Sequence, residues 1–275
     1  MTISEWLKGA KEKIPSLDAE LILCSALNFD DRVDIVLYAD QEFDFKTADE
    51  MVKKRESGVP LAYIVGFKEF YGRNFKVDKN VLIPRPETEQ IIISALSIID
   101  VEKFKNVRIL DVGTGSGCIP ITLKLELNSE GINSEIFGID VSEPALKIAE
   151  ENAKSLDVDV TFFNSNLLEK VDSLPDILIA NLPYVDMNWD WKSEELKFEP
   201  ALALFAEDGG LKLIKKLIDE IAEKDSTYSK TSELKSPKFL ILEADTSQHD
   251  EIIKYAKSKG LNLINHSNFA ISFKF

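Results

Sequence analysis

Hydrophobic and polar residues follow two different patterns along the chain, with a change near residue 60. Over residues 1–58 the apolar residues recur three and four positions apart, which is typical of amphipathic helices. From residue 107 onward, short apolar runs of strand length alternate with longer helical patterns. Because strands that alternate with helices form parallel sheets covered on both faces, the second part is predicted to be an α/β domain with a doubly wound sheet.

The predicted sheet is Rossmann-like and has seven strands, and four helical patterns separate them. Strand patterns cover residues 107–112, 135–140, 158–163, 177–180 and 239–243, and a closing antiparallel pair covers residues 261–265 and 270–275. Helical patterns cover residues 117–127, 142–156, 209–222 and 247–259.

Between the two parts, residues 63–83 are rich in β-forming residues, and turn residues at Tyr71-Gly72 and at 78–80 interrupt them, which predicts a hairpin. We therefore expect a small all-helical domain at 1–60, a β-hairpin connector at 61–86 and the α/β domain at 87–275. The helical domain carries no catalytic constellation, so it is predicted to bind a macromolecular partner. A purely stabilising role for it is the alternative.

Four helix starts are marked by capping residues, and two of these residues are Ser16 and Asp30 in the first domain. Ser142 is followed by Pro144, which predicts that Ser142 is the N-cap of the helix over 142–156. Thr47 and Glu50 have the spacing of a capping box ahead of Met51, so Thr47 is predicted to cap a helix in the first domain.

A glycine-rich turn joins the first strand of the α/β part to a helix. Its candidate ligand-binding residues are Asp111, Gly113, Thr114, Gly115, Ser116 and Gly117. Glycine lets a ligand approach the backbone, and the helix start presents free N–H groups to a negative group. Cys118 stands where a dinucleotide-binding fingerprint needs its third glycine, and Asp140 follows the next strand, where it can hold ribose hydroxyls. The pattern favours S-adenosylmethionine over NAD; a plain turn with a surface aspartate is the alternative.

Residues 181–184, Asn-Leu-Pro-Tyr, follow the strand pattern at 177–180. They suit methylation of a planar NH2 group, whose nitrogen is a weak nucleophile. The Asn181 side-chain oxygen and the Leu182 carbonyl can accept its two N–H bonds and so orient it. Pro183 keeps Leu182 extended and has a fixed φ of its own, and the Tyr184 ring can stack on the flat group. We name residues 181–184 the amide loop and residues 113–117 the glycine turn.

Five segments of the chain resemble the peptide chain release factor glutamine methyltransferases. These segments are residues 58–66, 69–72, 81–89, 111–119 and 199–204. The run Pro84-Arg-Pro-Glu-Thr-Glu89 joined to the glycine turn is the most specific of them. The resemblance implies methyl transfer from S-adenosylmethionine to the glutamine amide in the Gly-Gly-Gln loop of release factors, with S-adenosylhomocysteine as product. It also implies the strand order of the seven-stranded methyltransferases.

The resemblance further assigns site residues outside these two loops. Asn166 and Leu167, after the third strand, are expected at the cofactor. Glu87 and Glu89 are expected at the substrate, because the proline-rich connector borders the active site in the family, although carboxylates in a first helical turn also complement the helix dipole. The chain departs from the family at Leu182, where proline is usual, at Asn166, where an aspartate lies near the adenine, and in its C-terminal tail. Leucine and asparagine still supply the carbonyl and a hydrogen-bonding group.

Charge and composition restrict the partners. A net charge of −15, from 48 acidic and 33 basic residues, disfavours a nucleic-acid substrate. Cys24 and Cys118 are expected as reduced packing residues, and His249 and His266 have no partners at metal-ligand spacing, so no metal is expected. The chain has no long apolar run, and we expect a cytoplasmic monomer that does not enter a membrane.

The expected mechanism is direct attack of the amide nitrogen on the sulfonium methyl group, with catalysis by positioning and by dipoles. Three alternatives remain open at this point. They are glutamine methylation of a ribosomal protein, amino methylation of adenine in rRNA or DNA, and a non-catalytic role in binding S-adenosylmethionine or a partner.

Overall fold

The computed structural model describes residues 1–189, 193–228 and 239–275. The chain divides into two compact units. The first comprises Met1–Phe67, Val77–Lys79 and residues 193–198, and the second comprises Lys68–Lys76, residues 80–189 and the described residues of 199–275.

The first unit is helical, as predicted. Its helices are α1 (Ile3–Lys11), α2 (Ser16–Leu27), α3 (Val33–Leu37), α4 (Lys46–Glu56) and α5 (Leu61–Val65). Trp6 of α1 stacks on Phe45 with ring centroids 5.4 Å apart, and its Nε1 donates to Asp49 Oδ1 of α4 at 2.8 Å. The predicted cap at Thr47 is wrong, because the carboxylate of Asp44 accepts from Lys46 N at 3.0 Å and α4 begins at Lys46. The predicted caps at Ser16 and Asp30 are also wrong, since Pro15 and Arg32 occupy the N-cap positions of α2 and α3.

A two-stranded hairpin follows α5. Its strands are β1 (Phe67–Phe70) and β2 (Arg73–Lys76), so it is shorter than the β-rich run from which it was predicted. Residues 61–65, at the start of the predicted connector, are helical instead. Phe70 and Phe75 are buried and pack edge to face. The limits of the three predicted domains stay a prediction.

The second unit alternates helices and strands. Its helices are α6 (Glu89–Val101), α7 (Cys118–Ser129), α8 (Glu143–Ser155), α9 (Ala201–Leu204), α10 (Lys212–Tyr228) and α11 (His249–Ser258). Its strands are β3 (Asn106–Val112), β4 (Asn133–Asp140), β5 (Thr161–Asn164), β6 (Ile177–Ala180), β7 (Val185–Asp186), β8 (Phe205–Ala206), β9 (Phe239–Glu243), β10 (Asn262–Ser267) and β11 (Ala270–Lys274). Short 3₁₀ turns cover Pro86–Thr88 and Thr246–Gln248.

Within the described residues, seven strands form one sheet in the order β10-β11-β9-β6-β3-β4-β5. β11 is antiparallel to both of its neighbours, and the other pairs are parallel. This arrangement confirms the predicted doubly wound sheet, its closing antiparallel pair and the methyltransferase strand order. From β3 the chain adds β4 and β5 on one side and then returns to place β6 on the other. The carboxyl ends of β3 and β6 therefore flank the point where the order reverses, which is where open α/β sheets bind ligands.

Both faces of the central strands are buried, since helices cover each side. Leu110, Leu178 and Leu240 pack in a core with residues of α10 and α11. Their neighbours along the chain point to the opposite face, where Ile109 and Ile241 pack in a second core with residues of α6 and α7. This is why these strands are almost continuously apolar.

The register brings four strand ends to one row. Val112 of β3 pairs with Ile139 of β4 and with Ala180 of β6, and Ala180 pairs in turn with Leu242 of β9. The residues that follow this row share one edge of the sheet, and they are Gly113, Asp140, Asn181 and Glu243. Three of the four are candidate site residues from the sequence, and the fourth, Glu243, is not.

Candidate active site

The glycine turn is closed onto the end of β4 by backbone hydrogen bonds. Gly113 N and Thr114 N both donate to Ile139 O, at 2.8 and 2.9 Å. Gly115 N donates to Asp140 Oδ2 at 2.9 Å. The predicted turn and the predicted acidic residue of the next strand are therefore brought together, and the aspartate holds the turn directly.

The last part of the turn is held from helix α8. Asn152 is buried, and its Nδ2 donates to Ser116 O at 2.8 Å. The Asn152 side chain also bonds the backbone of Lys76, at N and at O. Sequence analysis did not identify Asn152, because an asparagine within an amphipathic helix gives no sign of its partner.

Two polar side chains beside the turn are buried without a hydrogen bond. Both carboxylate oxygens of Asp111 and the hydroxyl of Thr114 lack a partner within the described residues. Burial raises the pKa of Asp111 to about 7, an effect that Thr114 opposes and that the charge of Asp140 increases. Buried polar groups are normally paired, so these atoms fit a bound polar ligand at this edge of the sheet.

Both carboxylate oxygens of Asp140 accept hydrogen bonds from backbone N–H groups. Oδ2 accepts from Gly115 N, and Oδ1 accepts from Ser142 N at 2.8 Å. Burial raises the pKa of this carboxyl, and the backbone donors at Ser142 and Gly115 oppose the rise. Since each carboxylate oxygen accepts more than one hydrogen bond, Asp140 retains capacity for a ligand hydroxyl.

The loop after β5 carries the other predicted cofactor residues. Leu167 is buried and has a positive φ of 49°, and its carbonyl accepts from Ser165 Oγ at 2.8 Å. Ser165 N donates to Asp140 O at 3.1 Å, which ties this loop to the end of β4. Asn166 is exposed and lines an open cavity of about 470 Å³ with residues of α10.

The amide loop lies directly against the glycine turn. Gly113 has a positive φ of 77°, and a Cβ at this residue would lie 3.1 Å from Leu182 Cδ2. A side chain at this position would require the Leu182 side chain to shift by a few tenths of an ångström. A ligand bound on the glycine turn and a group held by the amide loop would be neighbours.

A buried polar cluster holds the side chains of the amide loop. Asn181 Nδ2 donates to Thr88 Oγ1 at 3.1 Å, and the Tyr184 hydroxyl donates to Glu243 Oε1 at 3.1 Å. Burial raises the pKa of Glu243 to about 7, while Thr88, Tyr184 and Asn181 oppose the rise and the charge of Glu87 adds to it. Burial and the charge of Glu243 also raise the pKa of Tyr184.

The backbone of the amide loop is fixed by Gln248. Its Nε2 donates to Tyr184 O and to Gly209 O, both at 2.7 Å, and Oε1 accepts from Asp245 N at 3.2 Å. Of the two predicted glutamates, Glu87 contributes charge to this cluster, whereas Glu89 Oε1 accepts from Tyr71 N at 3.0 Å and is engaged by the hairpin.

Neither a metal-binding cluster nor a membrane-spanning helix is found in the described part of the chain. No group of three or more histidine, cysteine and acidic side chains there could hold a metal ion. No helix there is long and apolar enough to cross a membrane.

The sheet order, the glycine turn and the acidic residue after the next strand define an S-adenosylmethionine-dependent methyltransferase. In agreement, the family model of the methyltransferase domain matches residues 103–270, and the model of the PrmC N-terminal domain matches residues 2–66. A methyltransferase from Pyrococcus furiosus has a similar fold, with a TM-score of 0.50 and 14% identity over 84% of this chain and 98% of that one.

Two curated relatives refine the class. The release factor glutamine methyltransferase of Bacillus cereus is 34% identical over 74% of this chain and 73% of the relative. The release factor glutamine methyltransferase of Buchnera aphidicola is 33% identical over 92% of this chain and 89% of the relative. The chain belongs to the release factor glutamine methyltransferase family, and the resemblance stated from its motifs is confirmed.

Proposed function

We propose that this protein methylates the side-chain amide nitrogen of the glutamine in the Gly-Gly-Gln loop of peptide chain release factors. S-adenosylmethionine is the methyl donor, and S-adenosylhomocysteine is the product. The observation that carries the proposal is the direct packing of the amide loop on the glycine turn, through Gly113 and Leu182. This contact supports the assignment of the cofactor-binding and amide-orienting residues to one site.

The cofactor is held by the glycine turn and the strand ends on either side of it. The proposed cofactor-binding residues are Asp111, Gly113, Thr114, Gly115, Ser116, Gly117, Asp140, Asn166, Leu167 and Asn181. When bound, S-adenosylmethionine supplies a methyl group on a positively charged sulfur. The unpaired oxygens of Asp111 and Thr114 support this assignment, because a polar ligand would satisfy them.

The amide loop binds and orients the target nitrogen. Asn181 Oδ1 and Leu182 O accept the two N–H bonds of the glutamine amide, so that its weak lone pair faces the glycine turn. Pro183 limits the backbone around the Leu182 carbonyl, and the Tyr184 ring lies against the planar amide. These groups act by position and dipole, which is the main source of rate enhancement when no covalent intermediate is needed.

The remaining parts of the chain act on the protein substrate. Glu87 and Glu89 border the substrate site, and the helical domain at 1–60 binds the release factor. The connector at 61–86 links it to the methyltransferase domain at 87–275. The protein is further proposed to be a cytoplasmic monomer. Its net charge of −15 argues against a nucleic-acid substrate.

The test is single-turnover transfer of a labelled methyl group to a release factor that carries Gly-Gly-Gln, with a Gly-Gly-Glu factor as the blank. Asn181→Ala removes one of two acceptors on the target amide, so transfer should slow ~10²–10³-fold. The Asn181 side chain donates one hydrogen bond, to Thr88 Oγ1, so folding should be little affected. Labelling of the blank, or near-normal transfer by Asn181→Ala, would contradict the proposal.

Substrate choice needs a separate competition. The same labelling is carried out with rRNA, with duplex DNA and with ribosomal proteins in place of the release factor. We expect label only on the release factor, and only a shallow decrease in its binding with added salt. Label on rRNA together with a steep salt dependence, which is the sign of counterion release, would replace this function by adenine methylation.

A further inference from the structure

Glu243 ends β9 at the edge of the sheet that carries the candidate site. Its side chain is 2% exposed, and Oε1 accepts from the Tyr184 hydroxyl at 3.1 Å. Oε2 is buried without a hydrogen-bond partner among the residues that the structure describes. The carboxylate lies among donors from two other segments of the chain, Thr88 and the amide loop.

Thr88 connects this carboxylate with Asn181. It stands at the N-cap of α6, where a threonine hydroxyl normally accepts from the helix backbone. It makes no such bond, and instead its Oγ1 accepts from Asn181 Nδ2 at 3.1 Å. The Thr88 hydroxyl keeps its own hydrogen for donation, and Thr88 opposes the rise in the pKa of the nearby Glu243 carboxyl.

An ionised carboxylate accepts hydrogen bonds and donates none. Groups that face Glu243 are therefore expected to be hydrogen-bond donors. They are the hydroxyls of Thr88 and Tyr184 and the NH2 group of Asn181. With the NH2 of Asn181 turned inward, its Oδ1 is turned away from the cluster. An acceptor in that position selects an NH2 group on the substrate and rejects a carboxylate.

We propose that Glu243 is a positioning residue that, through Thr88 and Tyr184, keeps the Asn181 oxygen and the Tyr184 ring directed at the substrate amide. The proposal rests on the proposed function, since it explains how the site distinguishes glutamine from glutamate. Glu243 acts on Asn181 and Tyr184, and no contact with the reacting atoms is required of it.

The energetic cost of the carboxylate supports a functional role. Burial raises the pKa of Glu243 to about 7, and the charge of Glu87 contributes to the rise. Asp245 is a further acidic group near Tyr184. A glutamine of the same size would fill this position without burying a charge. Because the ionised form that only accepts hydrogen bonds predominates above this pKa, the role proposed here belongs to the higher-pH form of the site.

The test compares Glu243→Gln with wild type in single-turnover methyl transfer. A glutamine can both donate and accept, so Asn181 is free to turn its NH2 outward. We expect the rate to fall by about tenfold, with little change in the dissociation constant of S-adenosylmethionine. We also expect the Gly-Gly-Glu release factor to become a better inhibitor relative to the Gly-Gly-Gln substrate, by about threefold or more. General loosening of the site would not improve binding of the glutamate form.

Two further variants keep the test decisive. Thr88→Val has the same shape without the hydroxyl, and it should show the same loss of rate and the same gain in inhibition even if Glu243→Gln folds poorly. Asp176→Asn is the matched control, because Asp176 is also a buried carboxylate but precedes β6 at the opposite edge of the sheet, where it accepts from Arg108 N. Its transfer rate per folded molecule should equal that of wild type.

The outcomes separate the two proposals. Wild-type protein that does not label the Gly-Gly-Gln factor contradicts the proposed function and, with it, this role of Glu243. A second outcome is that wild-type protein labels the factor but the two variants, Glu243→Gln and Thr88→Val, behave like it. Transfer rates within about twofold of wild type, together with unchanged inhibition by the Gly-Gly-Glu factor, would contradict only the role of Glu243. Equal losses in rate and cofactor affinity would indicate a structural role and would also overturn it.

Discussion

The glycine turn and the amide loop lie in contact but are built in different ways. The glycine turn is held mainly by its own strand-turn-helix unit and by the next strand, through Ile139 and Asp140. The amide loop is held by Thr88, Glu243 and Gln248, which lie at least 59 positions away from the residues they bind. A local sequence pattern can specify the first site, whereas the second exists only when the sheet is assembled.

Gly210→Ala is expected to have the largest effect, because it disturbs the support of the amide loop. A Cβ at Gly210 would lie 1.9 Å from Tyr184 O and 2.6 Å from Gln248 Nε2, and the residue has a φ of 86°. Overpacking against backbone and the left-handed conformation together should cost about 4 kcal/mol of stability. Urea unfolding measures this loss, and methyl transfer should fall in the surviving folded protein.

Gly209→Ala is the matched control for this substitution. Its φ is 63°, but a Cβ there would meet only Asp186 Oδ2, at 4.0 Å. The control should lose only the cost of the left-handed conformation, about 1–2 kcal/mol. Equal losses for the two variants would mean that the contact with the amide loop has no energetic importance.

Asp111→Asn tests the glycine-turn side through pH. The pKa of Asp111 is raised from 3.8 to about 7, so folding takes up a proton between these values. The contribution of the Asp111 carboxyl to the stability of the wild-type protein is therefore highest at low pH. It declines as pH rises through this window and stays low above pH ~7. Relative to wild type, the variant should gain about 3 kcal/mol between pH 5 and pH 8.

The measurement for Asp111→Asn is a urea unfolding series at both pH values. The variant should also bind S-adenosylmethionine more weakly, because Asp111 belongs to the proposed cofactor set. A stability difference that does not change with pH would show that the carboxyl is not buried as a protonated group.

Asp140→Ala is expected to have an intermediate effect on cofactor binding. Removing the carboxylate deprives Gly115 N and Ser142 N of their acceptor and removes the predicted contact to ribose. Affinity for S-adenosylmethionine should fall by about 1.5–3 kcal/mol, measured by titration calorimetry. Unchanged affinity would remove Asp140 from the cofactor site and would leave it as an internal brace of the glycine turn.

Sequence patterns predicted the sheet and the two loops because each depends on neighbours in the chain. The alternation of apolar runs implied the doubly wound sheet, and residues 181–184 were recognised because their chemistry lies in four consecutive positions. Thr88, Glu243 and Gln248 were missed for the opposite reason. Their role depends on which elements meet at one edge of the sheet, and an isolated threonine, glutamate or glutamine carries no sign of that.

Local errors have similarly specific causes. A helix was predicted from residue 209, but Gly209 and Gly210 have positive φ angles, so α10 begins only at Lys212. The strand predicted from residue 158 begins at Thr161, because Val158 N donates to Ala153 O and continues the end of α8. In both cases apolar periodicity extended past a turn that backbone hydrogen bonds and glycine conformation determine.

The smallest expected effect concerns two of the predicted helix caps, Ser142, which is confirmed, and Thr47, which is wrong. Ser142 Oγ accepts from Ala145 N at 3.3 Å and caps α8, next to the glycine turn's partner Asp140. Thr47 lies within α4 and makes no cap. Ser142→Ala should therefore destabilise α8 by about 1 kcal/mol, and Thr47→Ala should change the stability of α4 by less than ~0.5 kcal/mol.

Hydrogen exchange of the amides in each helix measures both changes locally. Equal changes would mean that capping does not contribute to the local order of the glycine-turn region, and the contrast with the distantly supported amide loop would then rest on the contacts of the turn with Ile139 and Asp140.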